Sequence, residues 1–325
     1  MRIVFMGSDP IALPLLDALA SERLGSANLV GVFTQPDRAR GRGHRIQENS
    51  IKLWARERDL PIYQPERCDV EACQTLTALN PDYVLVMAFG QLLPRKLLNL
   101  FPGRFLNLHA SLLPRLRGAS PIQTALACGL EKTGVSLMQI EPRMDAGPVA
   151  DSEVVPILPR DRSKDLHGRI AQASVSLMER NEAALRSGKL QFTEQDESVA
   201  TYARLINKED AALDFRVSAW ELGCRIRAFN PWPGPRFPHK EIEVRVHEAE
   251  PINENPSAIP GTILRSGEAG LWIACGQSVL RVLSLQRPGG RVLAAAEFLR
   301  GYPLEVGTVL ESRSMPELER HPLMP

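Results

Sequence analysis

The chain has 325 residues, 44% apolar and 24% charged, with a formal charge of +1. Its length exceeds what one hydrophobic core usually serves, so two domains are expected, and its composition excludes disordered, collagen-like and coiled-coil classes. Near-neutral charge excludes a whole-molecule field that would draw nucleic acid or membrane, leaving only local basic patches.

The first apolar run, residues 3–6, closes at once in Gly7-Ser8-Asp9-Pro10. It is too short for a signal-peptide core, and no stretch approaches the roughly 18 apolar residues of a membrane helix. The five cysteines, at 68, 73, 128, 224 and 275, form no CxxC pair. That pattern excludes a small disulfide scaffold and a zinc ribbon and fits a reducing compartment. A cytoplasmic protein with nothing removed in maturation is the expectation.

The first half alternates apolar runs with amphipathic segments. Strands are expected at 3–6, 29–34, 83–88, 105–109 and 135–140, with helices at 11–21, 50–59, 121–128 and 166–187. Runs apolar at every position suit a parallel sheet covered on both faces. Strand–helix alternation then gives right-handed crossovers and a doubly wound, mostly parallel α/β domain. The polar stretch from Gly188 to Asp210 reads as a linker. Beyond it a helix at 219–229 meets the break Asn230-Pro231-Trp232-Pro233-Gly234-Pro235. Short alternating runs follow at 242–247, 261–264, 271–274 and 279–285, the texture of a small OB-like β-barrel. The expected division is 1–190, a linker at 191–210, and 211–315, with a frayed end from about Ser312.

The densest polar cluster is Asn107-Leu108-His109-Ala110-Ser111. Period-two spacing puts Asn107 and His109 on one face of a strand end, where open α/β sheets bind ligands. An amide and an imidazole aimed together there can stabilise an oxyanion. A turn-capping Asn beside a surface His would give the same pattern. Asp145, in Met144-Asp145-Ala146-Gly147, sits in another turn after a strand. With Asn107 and His109 it would complete an acyl-transfer constellation; alone it reads as an ordinary turn aspartate. The six histidines show no ligand spacing, so no metal is expected.

Asn-x-His, then Ser-Leu-Leu-Pro-Arg-Leu-Arg-Gly-Ala-Ser-Pro at 111–121, then Met-Asp-Ala-Gly resembles the folate-dependent formyltransferase superfamily. Within it, Thr34-Gln35-Pro36-Asp37, Ala88-Phe89-Gly90, Leu93-Pro94, Asn230-Pro231-Trp232-Pro233 and Pro260-Gly261-Thr262-Ile263 resemble the branch that formylates methionyl-tRNA. The resemblance spans nearly the whole chain. It departs at the turn after Asp9, at Phe89, where many members carry Tyr, and at Pro148, where some carry a second Asp.

The resemblance implies a folate-binding formyltransferase catalytic domain followed by an OB-like tRNA-binding domain. It implies 10-formyltetrahydrofolate as co-substrate, without metal, and methionylated initiator tRNA as acceptor. Asn107 and His109 would hold the oxyanion and Asp145 would position His109. Ser111, Leu112, Leu113 and Pro114 would contact folate, with Phe89, Gly90, Leu92 and Leu93 as a second wall. Without the motif those leucines read as core. The glycine-hinged loop bearing Arg38, Arg40, Arg42 and Arg45 would meet the tRNA, with Arg115 and Arg117 near its 3′ end.

Basic and acidic residues are equal in number past Ala212, so tRNA contact by the second domain would need clustering, for instance of Arg225, Arg227, Arg236 and Lys240. No heptad or long apolar edge appears, and a monomer is expected. A formyltransferase acting on a nucleotide-linked amino sugar is the alternative, and the arginine–glycine loop discriminates against it. An RNA-binding protein on a decayed enzyme scaffold is a second alternative, against which the intact Asn107, His109 and Asp145 speak.

Overall fold

Alternate residues of the first strand enter two different cores, which fixes the layering of the first domain. In a computed structural model describing residues 1–25, 27–40 and 45–321, this strand is Arg2–Gly7. Ile3 and Phe5 pack with Leu15, Leu16, Leu166 and Ile170 on one face. Val4 and Met6 pack with Ala72, Cys73, Leu76 and Leu97 on the other. A strand buried on both sides must be apolar throughout, as this one is.

The sheet has seven strands, in the order Val149–Pro156, Lys132–Gln139, Phe105–His109, Tyr83–Met87, Arg2–Gly7, Asn28–Phe33, Ile62–Tyr63. The last five are mutually parallel. Lys132–Gln139 runs antiparallel to both of its neighbours. Chain order reverses on either side of Arg2–Gly7, so the carboxyl ends of Arg2–Gly7, Tyr83–Met87 and Phe105–His109 border the ligand crevice expected of such a sheet. The helix Ser163–Arg186 crosses one face, with Leu166, Ile170 and Leu177 buried.

The second domain is an antiparallel sheet ordered Arg236–His239, Ile242–Ile252, Val279–Gln286, Gly270–Ala274, Ile263–Gly267, with Leu293–Ala294 added to Val279–Gln286. Phe215, Phe237, Val244, Ile273 and Leu280 form its core. The helix Ala219–Ala228, capped by Ser218 through Glu221 N–H, packs on that sheet and against the helix Pro121–Ala127 of the first domain. The fold is thus a doubly wound α/β domain followed by an OB-like antiparallel domain.

The segment after Gly188, expected as the linker, is tied to the first domain. Thr193 bridges Val149, and Tyr202–Ala203 forms a strand parallel to Arg117–Gly118. The tail past Ser312 is not frayed over its described length, because Leu318 is buried and Glu319–Arg320 pairs with Tyr202–Ala203. Main-chain groups of the first domain order the segment after Gly188, and that segment in turn orders the tail.

Candidate active site

Asn107 and His109 lie on the Phe105–His109 strand, flanked by Tyr83–Met87 and Lys132–Gln139. Central strand pairing holds both backbones, so the side chains start from rigid positions. His109 is buried and Asn107 half-buried. The His109 Nε2 lies 2.9 Å from the Leu116 carbonyl oxygen. A carbonyl only accepts, so Nε2 carries the hydrogen. Nδ1 faces Asp145 Oδ2 at 3.6 Å, beyond hydrogen-bond length but within direct charge range. That same Oδ2 accepts the Gly118 N–H at 2.8 Å.

Leu116 and Asp145 both have left-handed backbones, at φ 59° and 49°. Conformations of this kind persist only where surroundings over-determine them. Ser136 Oγ donates to the Ser111 carbonyl (2.8 Å) and accepts the Leu113 N–H (3.1 Å), while Ser111 Oγ donates to the Arg115 carbonyl (2.7 Å). Thr201 Oγ1 accepts the Leu116 N–H (2.9 Å), and the Thr201 carbonyl accepts the Arg117 N–H (2.8 Å). Gly118 is required where it stands: its φ is +103°, and a Cβ there would lie 2.7 Å from the Ala203 carbonyl oxygen.

The two walls expected for folate differ in character. Leu112, Leu113 and Pro114 are half-buried, whereas Ser111 is buried. On the other side the Phe89 ring is buried in the core with Met6, Phe33 and Leu97. Phe89 therefore presents backbone, not a ring wall, and this corrects the expectation for its side chain. Its carbonyl accepts from Ser8 Oγ (3.1 Å) and Gln35 Nε2 (3.2 Å), joining three strand ends. Gly90 and Leu92 are exposed and Leu93 half-buried. Leu92 lines a largely apolar cavity of about 570 Å³ with Cys68, Val70, Cys73, Gln91 and Pro94. Ser8, Ser136 and Thr201 escaped the sequence reading as site residues, since isolated hydroxyls carry no spacing signal.

A formyl transferase model matches residues 1–181, and a formyl transferase C-terminal domain model matches 205–303. A methionyl-tRNA formyltransferase of Xylella fastidiosa (strain M23) is 40% identical over 92% of this chain and 97% of its own. One from Legionella pneumophila (strain Paris) is 38% identical over 95% and 98%. The chain belongs to the methionyl-tRNA formyltransferase family. An N-formyltransferase from Helicobacter canadensis, solved with folinic acid and dTDP-3-aminofucose, shares the fold at TM-score 0.64 and 17% identity, covering 87% of this chain and 99% of that one.

Within this family member the arginines divide sharply. Arg117 is fully buried: Glu197 takes its guanidinium at 2.9 and 3.2 Å, Gln195 Oε1 at 3.0 Å and the Tyr202 hydroxyl at 3.3 Å. That guanidinium is enclosed and cannot meet a phosphate, which corrects its expected role. Arg225 is likewise buried, donating to the Pro316 carbonyl at 2.9 Å, and burial pushes its guanidinium down. Arg115 is half-exposed and held by Glu319 at 2.7 and 2.8 Å.

Arg38 is exposed and pairs with Glu66 at 2.6 Å. Arg42 and the side chains of Arg40 and Arg45 lie outside the described residues. The loop's root is anchored by Asp37, whose carboxyl hydrogen bonds from Lys52 (2.6 Å) and Gln64 (2.9 Å) hold below the usual range.

Proposed function

We propose that the protein transfers the formyl group of 10-formyltetrahydrofolate to the α-amino group of methionine on initiator tRNA. The observation that carries this reading is Asp145 Oδ2 at 3.6 Å from His109 Nδ1, on the strand that also bears Asn107, in a chain some 40% identical to methionyl-tRNA formyltransferases along nearly its whole length. The amino-sugar alternative finds its structural likeness at only 17% identity.

An α-amino group titrates near roughly 7.7–8.0, so a useful fraction is neutral at cellular pH and can attack the formyl carbon. The new N–C bond places negative charge on the formyl oxygen. The Asn107 amide donates to that oxygen, and His109 Nε2 joins it by exchanging the Leu116 carbonyl for the substrate. Asp145, beside Nδ1, holds the ring and routes the amine proton toward the folate nitrogen as the old C–N bond breaks. Leu112, Leu113 and Pro114 supply an apolar edge for the folate ring, and Gly90 and Leu93 a second one.

Arg38, Arg40, Arg42 and Arg45 would meet tRNA phosphates, as would Arg115. An interdomain cleft of about 260 Å³, lined by Arg160, Arg162, Arg227 and His247 together with Glu248 and Glu250, supplies a further mixed-charge contact. The chain works as a monomer in this account.

A formyl-transfer assay tests the reading, with methionylated initiator tRNA, methionylated elongator tRNA and an amino-sugar nucleotide offered separately. Formylation of the initiator alone is expected. Transfer to the sugar, with none to tRNA, would overturn the acceptor and leave the chemistry standing.

A further inference from the structure

The turn that carries Asp145 is held by a residue from the segment joining the two domains. Gln195 Nε2 donates to the Asp145 carbonyl at 2.8 Å and to the Gly147 carbonyl at 2.7 Å. Its Oε1 accepts the Arg117 Nε–H at 3.0 Å. Both amide hydrogens and the amide oxygen are therefore committed. The orientation is forced, because a flipped amide would set its oxygen against two carbonyls and its NH₂ against a guanidinium. Arg117 is itself fixed by Glu197 and Tyr202, and Glu197 also holds Arg143.

We infer that Gln195 is a positioning residue for formyl transfer: it clamps the left-handed Asp145 turn so that the carboxylate stays on His109 and the Gly118 N–H. Three observations combine here. Asp145 has φ 49°, a conformation that relaxes unless neighbours restrain it. Gly147, two residues on, passes close to the neighbouring strand, since a Cβ there would lie 2.1 Å from the Gln139 carbonyl oxygen. The two Gln195 donations reach the carbonyls on both sides of Ala146, so they span the turn. A segment outside the catalytic sheet thereby sets the distance between Asp145 and His109. The inference rests on the proposed role of Asp145.

The test is a double-mutant cycle on kcat for methionyl-tRNA, with KM for tRNA and folate and thermal midpoints alongside. Gln195→Glu keeps the shape and the Arg117 bond but replaces both donations by repulsion. The expected result is a fall in kcat of about tenfold, consistent with misplacement of a reacting group by a fraction of an ångström, with both KM values held and a midpoint lowered but still above the assay temperature. Gln195→Ala should lower kcat alike and the midpoint further, because it also removes the acceptor of the buried Arg117 Nε–H. In an Asp145→Ala background, Gln195→Glu should cost less than twofold further, because its effect passes through Asp145.

An equal loss in both backgrounds would overturn the inference, as would normal kcat for Gln195→Glu beside an impaired Asp145→Ala. Normal kcat for Asp145→Ala itself would instead remove the catalytic reading, and this inference with it.

Discussion

The Leu116 carbonyl lies 2.9 Å from His109 Nε2, so a left-handed leucine seven residues along the chain decides which imidazole nitrogen carries hydrogen. Leu116 is kept in that conformation by Thr201, whose Oγ1 accepts its N–H at 2.9 Å. Thr201→Val preserves shape, leaves this N–H without an acceptor and removes the hydroxyl that donates to Glu319. The expected cost is about 1–2 kcal/mol of unfolding free energy, read from urea melts. Unchanged stability would show that the bond does not hold the loop.

Arg117 should behave as a structural residue. Its guanidinium is wholly enclosed, while Glu197 is half-exposed and can rehydrate when left alone. The hydrogen bond from Arg117 holds the Glu197 carboxyl below its usual range. Arg117→Met should lose about 3 kcal/mol, the lower end for breaking a buried pair, in denaturant unfolding. A loss below 1 kcal/mol with weakened tRNA binding would return Arg117 to a phosphate-contacting role.

Glu319 ties the C-terminal tail to Arg115 and Thr201. Burial alone would push its carboxyl up, but the hydrogen bonds from Arg115 and Thr201 outweigh that and hold it below the usual range. A depressed carboxylate stabilises the fold above its unfolded value, about 4.3, and that stabilisation fades as pH falls through the lower folded value. Wild type should therefore exceed Glu319→Gln in urea midpoint at pH 7, and the gap should close toward pH 3. A gap that persists or widens in acid would contradict the assignment.

Gly118 occupies a place that no other residue fits. Gly118→Ala would force a Cβ toward the Ala203 carbonyl and strain a backbone at φ +103°. About 2 kcal/mol of stability should be lost, with kcat falling as the Gly118 N–H leaves Asp145. Stability matching the wild type in thermal melts would refute the close approach.

The strand that carries the candidate site was legible because its signals are local. The run Phe105-Leu106-Asn107-Leu108-His109 reads as a strand ending in chemistry, and the structure makes those five residues a strand. Strand and helix periodicity likewise revealed Tyr83–Met87 and Ser163–Arg186. Val149–Pro156 was missed because it is an edge strand of mixed polarity ending in proline.

Gln195, Thr201 and Glu319 were missed for a different reason. They reach the Asp145 turn or the 111–118 loop from 48 to 204 residues away, and polar side chains that brace distant backbone leave no periodic mark. Arg117 misled in the opposite sense. An arginine in a Pro- and Gly-rich loop looks solvent-facing, and only tertiary pairing with Glu197 and Tyr202 buries it.

The most direct test of the account is the single-turnover rate of formyl transfer to saturating methionylated initiator tRNA, for wild type, Asn107→Ala and His109→Ala. If both groups face the developing oxyanion, each variant should lose on the order of 10²–10³ in rate while keeping its fold and its tRNA affinity. Folded variants whose rates stay within threefold of the wild type would contradict the placement of the chemistry at Asn107 and His109.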